Sequence, residues 1–196
     1  MTPRQYSMGK REDAVSEMRR RIVEATLAAH NEKGVVATTM QDIADRADVA
    51  LGTVYRHFPT VEELVPACGA LIFERNPLSD PAAVFQGATT LADRLSAAIR
   101  TLYAYYDANE RWISVGYCER SQVRPLDEAM SGFDGYVAGL IQHALGQGVP
   151  YPAGAVAMAH FFTWKACRAA GMDTGRASEL IASLVDAAAR TDAPEN

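Results

Sequence analysis

Apolar residues recur along this chain at the three- and four-residue spacing of amphipathic helices, and no segment alternates with the two-residue period of a half-buried strand. In the last such segment, apolar residues between positions 177 and 188 fall on one helical face. The pattern predicts an all-α protein with about nine helices. The predicted helices span residues 13–33, 40–46, 51–58, 60–75, 89–109, 111–121, 125–144, 152–171 and 175–190.

The residues that separate the first predicted helices indicate a tight arrangement of short elements. Gly34 can end the first helix, because glycine tolerates the left-handed conformation that a helix C-terminus often needs. Thr38 and Thr39 offer hydroxyl N-caps for the second helix, and Pro59 ends the third. Only a short turn at Asp48 separates the second helix from the third. These features predict a helix-turn-helix, whose second helix can enter the major groove of DNA.

The third predicted helix has an unusual solvent-facing side. Val54 and Phe58 are its expected core residues. An ordinary solvated helix more often shows Glu and Lys on its other side, whereas small, hydroxyl, aromatic and basic groups suit a nucleic-acid surface. Here that side carries Gly52, Thr53, Tyr55, Arg56 and His57. We therefore expect this face to contact DNA.

From about residue 21 to residue 65 the sequence resembles the DNA-binding region of the TetR family of bacterial transcriptional regulators. The shared motif elements are Ile22-Val23, Gly34, Thr38-Thr39, Ile43-Ala44, Gly52-Thr53, Tyr55, His57-Phe58 and residues 62–64. Beyond residue 65 the resemblance lies only in the layout of helices. It implies a flexible basic arm at 1–12, a helix-turn-helix domain at 13–60, and a ligand-binding and dimerisation domain at 61–196.

The resemblance assigns a role to each expected DNA contact. Gly52 would let the helix backbone approach the DNA, Thr53 would touch a base edge, and Arg56 would reach a guanine or a phosphate. The residues expected to bind phosphates are Thr39, Tyr55 and His57. The complete predicted set of DNA contacts is Thr39, Leu51, Gly52, Thr53, Tyr55, Arg56 and His57.

The sequence departs from the TetR pattern at several positions. Asp48 replaces a turn glycine, and we expect the turn to survive because aspartate tolerates left-handed backbone. Ala50 replaces the usual N-cap of the third helix, at a cost of about 1 kcal/mol unless Asp48 caps it instead. Leu51 and Val61 stand where basic residues are frequent, which removes two phosphate contacts. His30 replaces a core residue, and we interpret it as a buried histidine with a hydrogen-bond partner rather than a pH switch.

The region after residue 65 is rich in aromatic residues. Core packing explains any one of them, but as a group they suit a site for an amphipathic or aromatic ligand. By resemblance, this pocket would lie between the fourth to eighth predicted helices. Its expected lining is Phe73, Tyr103, Tyr106, Trp112, Tyr117, Phe133, Val137, Phe161 and Trp164, with polar anchors at Glu119, Arg120 and His160.

The eighth and ninth predicted helices, at 152–171 and 175–190, are expected to form a homodimer interface. The eighth is apolar on nearly every side and therefore needs cover on more than one face. Two copies of each would build a four-helix bundle on a two-fold axis, with the two recognition helices about 34 Å apart. The expected partners are double-stranded operator DNA, a second copy of the chain and a small-molecule effector. We predict a repressor that a small apolar or aromatic ligand releases from a palindromic operator, with the helix at 60–75 as the lever.

The distribution of charge leaves the role of the N-terminal cations open. The net charge of −5 divides into +1 over residues 1–60 and −6 over the remainder. The cations concerned are Lys10, Arg11, Arg19, Arg20 and Arg21. They could contact phosphates or enter the minor groove, or they could be balanced on a solvated helix start by Glu12, Asp13 and Glu17.

Other features of the composition argue against several classes of protein. No apolar run approaches the roughly 20 residues of a membrane span, and the N-terminus lacks the apolar core of a signal peptide, so we expect a cytoplasmic protein without membrane contacts. The three cysteines are widely separated, which favours neither a disulfide nor a zinc site. No nucleotide, metal or hydrolase motif occurs, so neither a cofactor nor enzymatic activity is expected. The alternative function is a helical small-molecule-binding protein with weakened or lost DNA recognition.

Overall fold

The computed structural model describes residues 5–146 and 153–191 of the 196-residue chain, and side chains within residues 12–146 and 153–189. The described residues form helices and no strands, which confirms the all-α prediction. The helices are α1 (Gln5–Lys33), α2 (Met40–Ala47), α3 (Leu51–His57), α4 (Val61–Arg75), α5 (Pro81–Val84), α6 (Leu91–Glu119), α7 (Arg124–Leu145), α8 (Ala153–Ala159), α9 (Phe161–Ala169) and α10 (Thr174–Thr191).

The first helix is longer than its pattern predicts. It begins at Gln5, whereas the apolar spacing predicts a start near residue 13. Once a helix is nucleated by packed residues, each further turn is added at little cost, so helical backbone extends into the polar segment. Of the predicted arm at 1–12, residues 1–4 lie outside the described part, and the backbone from Gln5 onward is helical.

Two helix boundaries in the second half of the chain also differ from prediction. α6 runs through the break expected near residue 110, although its backbone is non-helical at Asn109 (φ −127°, ψ 15°). The pattern predicts one helix where α8 and α9 occur. They are separated by His160, which has extended backbone (φ −69°, ψ 152°) and whose ring accepts a hydrogen bond from the N–H of Phe162.

The chain divides into two compact units, and the first unit contains the predicted helix-turn-helix. This unit holds residues up to Pro77 together with residues 111–130. Its core draws on α1 to α4, and the residues with no exposed surface include Ile22, Ile43, Val54, Phe58 and Leu64. Burying a side chain of this size is worth about 1.5–3 kcal/mol, so these contacts fix α2 and α3 against α1 and α4.

The second unit, which holds the rest of the described chain, has an aromatic core. Tyr103, Tyr106, Phe161 and Trp164 are at most 1% exposed. The ring of Tyr106 lies 5.6 Å from that of Phe161 and 6.0 Å from that of Trp164, measured between centroids. These separations are typical of attractive edge-to-face and tilted aromatic pairs, so the rings pack directly against one another.

Two tyrosine hydroxyls in this core compensate for the break between α8 and α9. The Tyr103 hydroxyl donates to the carbonyl oxygen of Met158 at 2.8 Å, and the Tyr106 hydroxyl donates to that of Ala159 at 3.0 Å. Both carbonyls belong to the last turn of α8, where intrahelical partners end. The tyrosines therefore satisfy acceptors that the extended backbone at His160 leaves exposed.

No helix in the described part of the chain is both long enough and apolar enough to cross a membrane. The cysteines Cys68, Cys118 and Cys167 are all unpaired. Over the same residues, no group of three or more His, Cys, Asp or Glu side chains is arranged to hold a metal ion.

Candidate DNA-binding surface and ligand pocket

The turn between α2 and α3 is formed by an aspartate in left-handed conformation. Asp48 has φ 52° and ψ 55°, as predicted for a residue that replaces a glycine. The N–H of Val49 donates to the carbonyl of Ala44 at 3.1 Å, and the guanidinium of Arg21 donates to the carbonyl of Asp48 at 2.8 Å. The turn is thus held both by its own backbone and by a side chain from α1.

The N-terminus of α2 is closed by a reciprocal capping box. The hydroxyl oxygen of Thr39 accepts from the N–H of Asp42 at 3.2 Å, and the N–H of Thr39 donates to Asp42 Oδ2 at 2.7 Å. Hydrogen bonds from Lys33 and then from Thr39 hold the pKa of the Asp42 carboxyl well below its usual range. The Thr39 N–H is therefore already used, and a phosphate would have to compete with Asp42 for it.

α3 separates cleanly into a buried and an exposed side. Val54 and Phe58 have no exposed surface, whereas Tyr55 is 47% exposed and Arg56 is exposed beside it. A Cβ added to Gly52 would meet no atom within 4 Å, so the backbone there is open to a close approach. The structure thus brings Gly52, Thr53, Tyr55, Arg56 and His57 to one short helix with an accessible face.

Ala50 leaves the N-terminus of α3 uncapped by any described side chain. The alternative cap from Asp48 does not form, because its left-handed backbone serves to end α2 instead. The first α3 bond is made by backbone alone, from Thr53 N–H to the carbonyl of Ala50 at 2.8 Å. The backbone amides at the start of α3 are therefore not occupied by a side-chain oxygen and can donate to a phosphate.

Arg19 of α1 contacts the C-terminal end of α3. The guanidinium of Arg19 donates to the carbonyl of His57 at 2.9 Å and lies 4.0 Å above the ring of Phe58. Partial burial, Arg56 and Arg19 lower the pKa of His57, in that order, so its ring is neutral at pH 7 before DNA arrives. Arg19 thus orients α3 through its C-terminus.

The other N-terminal cations with described side chains have partners other than the predicted Glu12, Asp13 and Glu17. Arg20 pairs with Glu24 at 3.4 Å and with Glu74 at 3.5 Å, rather than with the acidic residues at the start of α1. Arg21 holds the turn at Asp48, as described above. The side chains of Lys10 and Arg11 lie outside the described residues, so their contact with DNA stays a prediction.

An apolar pocket lies inside the first unit, bordered by the C-terminal part of α1, by α4, by the end of α6 and by the start of α7. Its volume is about 60 Å³. It is lined by Leu27, His30, Asn31, Val35, Val65, Cys68, Gly69, Ile72, Phe73, Trp112, Val115, Gly116, Leu126, Ala129 and Met130. Among the ligand-binding residues predicted from sequence, Phe73 and Trp112 belong to this lining, and their rings lie 6.3 Å apart.

Two side chains of α6 tie this pocket to the loop between α1 and α2. Glu119 Oε2 accepts from the N–H groups of Val35 at 2.6 Å and Val36 at 2.9 Å. Arg111 donates through Nε to the carbonyl of Asn31, at the end of α1. Glu119, predicted as a ligand anchor, thus accepts from backbone N–H groups and links α6 to the loop before α2.

The remaining predicted pocket residues fall into two groups. Tyr117 and Arg120 lie in the first unit, where Arg120 pairs with Asp127 at 2.7 Å. The others lie in the second unit and are mostly buried against one another. They are Tyr103, Tyr106, Phe133, Val137, His160, Phe161 and Trp164. His160 contacts Asp134 at 3.3 Å there.

The residues that sequence reasoning missed are apolar or neutral and lie far apart in the chain. Leu27, Cys68 and Met130 come from α1, α4 and α7, and only the fold brings them to one pocket. The sequence marks these residues only as members of amphipathic helix faces, and ordinary core residues have the same pattern.

Comparison with known proteins identifies the first part of the chain. Residues 22–68 match the family described as bacterial regulatory proteins, tetR family. This segment of the chain is therefore similar to the DNA-binding part of TetR-family regulators. The matched segment runs from α1 into α4 and includes both helices of the helix-turn-helix, which confirms the predicted resemblance.

A curated TetR-family relative is the HTH-type transcriptional repressor KstR of Rhodococcus jostii (strain RHA1). It is 46% identical over 63 residues, which are 32% of this chain and 30% of that repressor. The chain spans less than half the length of the curated KstR relatives that it matches.

Solved structures extend the likeness in fold to most of the chain. A TetR-like transcriptional regulator from Rhodococcus sp. RHA1 matches with a TM-score of 0.64 at 17% identity, over 86% of this chain and 93% of that one. The multidrug binding protein EbrR, solved in complex with malachite green, matches with a TM-score of 0.60 at 19% identity, over 90% of this chain and 98% of that one. The chain therefore has a TetR-like fold beyond the matched N-terminal segment.

Two departures from the TetR pattern have a structural explanation. Leu51 and Val61, which stand where the family often has cations, are half-buried and pack against the core of α1 to α4. Their apolar side chains extend that core at the starts of α3 and α4.

Proposed function

We propose that this chain is a TetR-family DNA-binding transcriptional repressor that acts as a homodimer and is released from a palindromic operator by a small apolar or aromatic ligand. The observation that carries the proposal is the prepared face of α3, open at Gly52 and lined by Tyr55 and Arg56. The capping box of α2 and the brace from Arg19 fix this face before DNA binds. Such preorganisation reduces the ordering cost of recognition.

Exposed apolar residues of the second unit support the homodimer. Leu180 and Leu184 are 41% and 46% exposed on α10, and Phe162 is 53% exposed on α9. The amphipathic stripe of α10 is divided, since Ile181 and Val185 are buried within the chain while the two leucines face outward. A second copy of the chain would cover these side chains in the predicted four-helix bundle.

The links from α6 to the helix-turn-helix support release by a ligand. A molecule that enlarges the first unit's pocket would displace α6 from α1 and thereby strain the bonds from Glu119 to Val35 and Val36. The ligand can weaken DNA binding only to the extent that it prefers this displaced state. Such a repressor would act in the cytoplasm, where bacterial operators are.

The loss of cations at Leu51 and Val61 favours a second candidate, a helical ligand-binding protein with weakened DNA recognition. Selection of bound DNA from a random double-stranded pool separates the two candidates. Enrichment of a palindrome supports the repressor, and recovery of no preferred sequence supports the alternative.

The selected operator then tests the role of α3. Arg56→Ala should weaken binding about tenfold, because an arginine contact to a base or phosphate is worth roughly 1–3 kcal/mol. Arg100→Ala is the matched control, since Arg100 is also exposed but lies in the second unit, and its operator affinity should be unchanged. Equal affinities for the two variants would contradict the assignment of the α3 face.

A further inference from the structure

A buried histidine in the first unit lacks the partner that its sequence context leads us to expect. His30 lies near the end of α1 and is 5% exposed. Its Nε2 atom has no hydrogen-bond partner among the described residues. A buried polar atom left in this state costs about 1–3 kcal/mol, so it is rare in a region that only has to be stable.

The same histidine borders the apolar pocket. The wall around it is formed by aliphatic, aromatic and sulfur-containing side chains, with Asn31 as the other polar side chain in the lining. Burial lowers the pKa of His30 to about 4, and the carboxylate of Glu119 opposes this only in part. At pH 7 the ring is neutral and offers one N–H donor and one nitrogen acceptor.

We propose that this pocket is the effector site and that it takes a neutral, apolar molecule with a hydroxyl group, which hydrogen-bonds to His30. The inference rests on the proposed function, because it names the ligand class and the site for the release step. The proposed site lies against α1, within the first unit.

The chemistry of the wall selects a hydroxyl over a charged group. A hydroxyl can both donate and accept, so it can pair with Nε2 in either tautomer of the ring. An anionic ligand would be repelled by the carboxylate of Glu119, whose charge already acts on His30. A cation would be buried against an almost wholly apolar lining without a counter-charge.

The pocket is so small that binding of most ligands requires its walls to move. Its volume of about 60 Å³ is well below the several hundred Å³ of typical ligand sites. A ligand larger than a single ring must therefore push the wall outward. Phe73 is 37% exposed and Met130 has an unbranched side chain, so both can yield, whereas further expansion has to separate α1 from α6.

Phenol and toluene are the matched probes for this site, because they differ in the hydroxyl and have similar size. Binding is measured by calorimetry and by the fluorescence of Trp112, with Trp164→Phe used to remove the other tryptophan. His30→Leu should weaken phenol binding about fivefold to tenfold and leave toluene binding within about twofold, because one neutral hydrogen bond is lost. His160→Gln, in the second unit, should change neither affinity.

Three results would overturn the inference: no saturable binding of either probe, an unchanged ratio of the two affinities in His30→Leu, or a loss of phenol binding in His160→Gln. A measurement on the unmodified sequence guards against a variant that fails to fold. With ¹⁵N-labelled histidine, phenol should shift the ring nitrogen resonances of His30 and toluene should shift them less. Equal shifts with both probes would also overturn the inference.

The DNA selection described above keeps this test separate from the proposed function. His30-dependent binding of phenol without an enriched DNA sequence would uphold the pocket and overturn the repressor. An enriched palindrome without binding of either probe would uphold the repressor and overturn the pocket.

Discussion

The tyrosine hydroxyls in the aromatic core of the second unit and the pocket histidine of the first unit differ in how their buried polar atoms are satisfied. In the second unit the hydroxyls of Tyr103 and Tyr106 are buried, and each donates to a backbone carbonyl that the fold leaves without a partner. In the first unit Nε2 of His30 is buried beside a pocket without a partner among the described residues. A polar atom that the chain satisfies itself stabilises the fold. A buried polar atom without a partner can instead form a hydrogen bond with a ligand.

This contrast changes how the aromatic residues are interpreted. Their number predicts a ligand site, and in the structure Tyr106, Phe161 and Trp164 pack against one another. A ligand site among them stays a prediction. The pocket of the first unit has a volume of about 60 Å³ and has Phe73 and Trp112 in its lining. The satisfaction of polar atoms separates a core from a candidate site better than the count of aromatic residues does.

The largest expected effect tests whether the second unit depends on its aromatic core. Trp164→Ala should lower the free energy of unfolding by about 4 kcal/mol, because it empties a fully packed position. Phe73→Ala, at the edge of the first unit's pocket, should cost about 1 kcal/mol, since Phe73 is already 37% exposed. Urea denaturation followed by circular dichroism measures both free energies of unfolding. Similar losses for the two variants would contradict the difference in packing between these two positions.

Acid should destabilise the first unit through His30. The pKa of this side chain is 6.5 in the unfolded chain and is lowered by burial to about 4 in the folded one, so the unfolded chain takes up its proton first. The stability is fully present above pH 6.5 and falls by about 3 kcal/mol as the pH falls to 4.

Denaturation at a series of pH values checks this prediction, and His30→Leu is the comparison variant. The leucine variant should lose this part of the pH dependence and should be no less stable than the parent at pH 7. Parallel curves for the two proteins would show that His30 does not carry the effect.

A glycine pair separates backbone strain from the contact with Glu119. Gly34 and Gly87 both have positive φ, of 90° and 81°, so alanine is strained at each position by about 1 kcal/mol. A Cβ at Gly34 would also lie 2.0 Å from Glu119 Oε1, whereas one at Gly87 would meet nothing within 4 Å. Gly34→Ala should therefore cost about 2 kcal/mol, about twice the cost of Gly87→Ala. Equal costs would mean that Glu119 can move aside without loss.

The smallest expected effect comes from removing one buried hydroxyl of the second unit. Tyr106→Phe should cost about 1 kcal/mol, because it leaves the carbonyl of Ala159 without its donor. Tyr55→Phe is the control, since Tyr55 is 47% exposed on α3 and its hydroxyl is open to water. Thermal unfolding should place Tyr55→Phe at the parent value and Tyr106→Phe below it.

The parts of the fold that depend on neighbouring residues could be predicted from sequence. Thr39 and Asp42 form their capping box within one turn, and Asp48 takes the left-handed conformation that its position requires. The exposed face of α3 follows from the helical spacing of Val54 and Phe58. Each of these features is determined by residues only a few positions apart.

The parts that depend on distant residues could not be predicted in this way. Nothing near Glu119 indicates that its carboxylate accepts from Val35 and Val36, which lie more than eighty positions earlier. His30 looks locally like a core histidine with a partner, and only the assembled unit shows that Nε2 has none among the described residues. The pocket and its link to the helix-turn-helix therefore emerge only from tertiary packing.

α1 joins the two functional regions of the first unit within one continuous helix. His30 borders the pocket near the end of α1, and Arg19 holds the carbonyl of His57 about 16 Å away along the same helix axis. A continuous helix moves approximately as a rigid rod, so a tilt of one end also moves the other end. If the two proposals hold, a ligand bound at His30 would change the angle at which α3 enters the major groove of DNA. α1 would then couple ligand binding to operator binding.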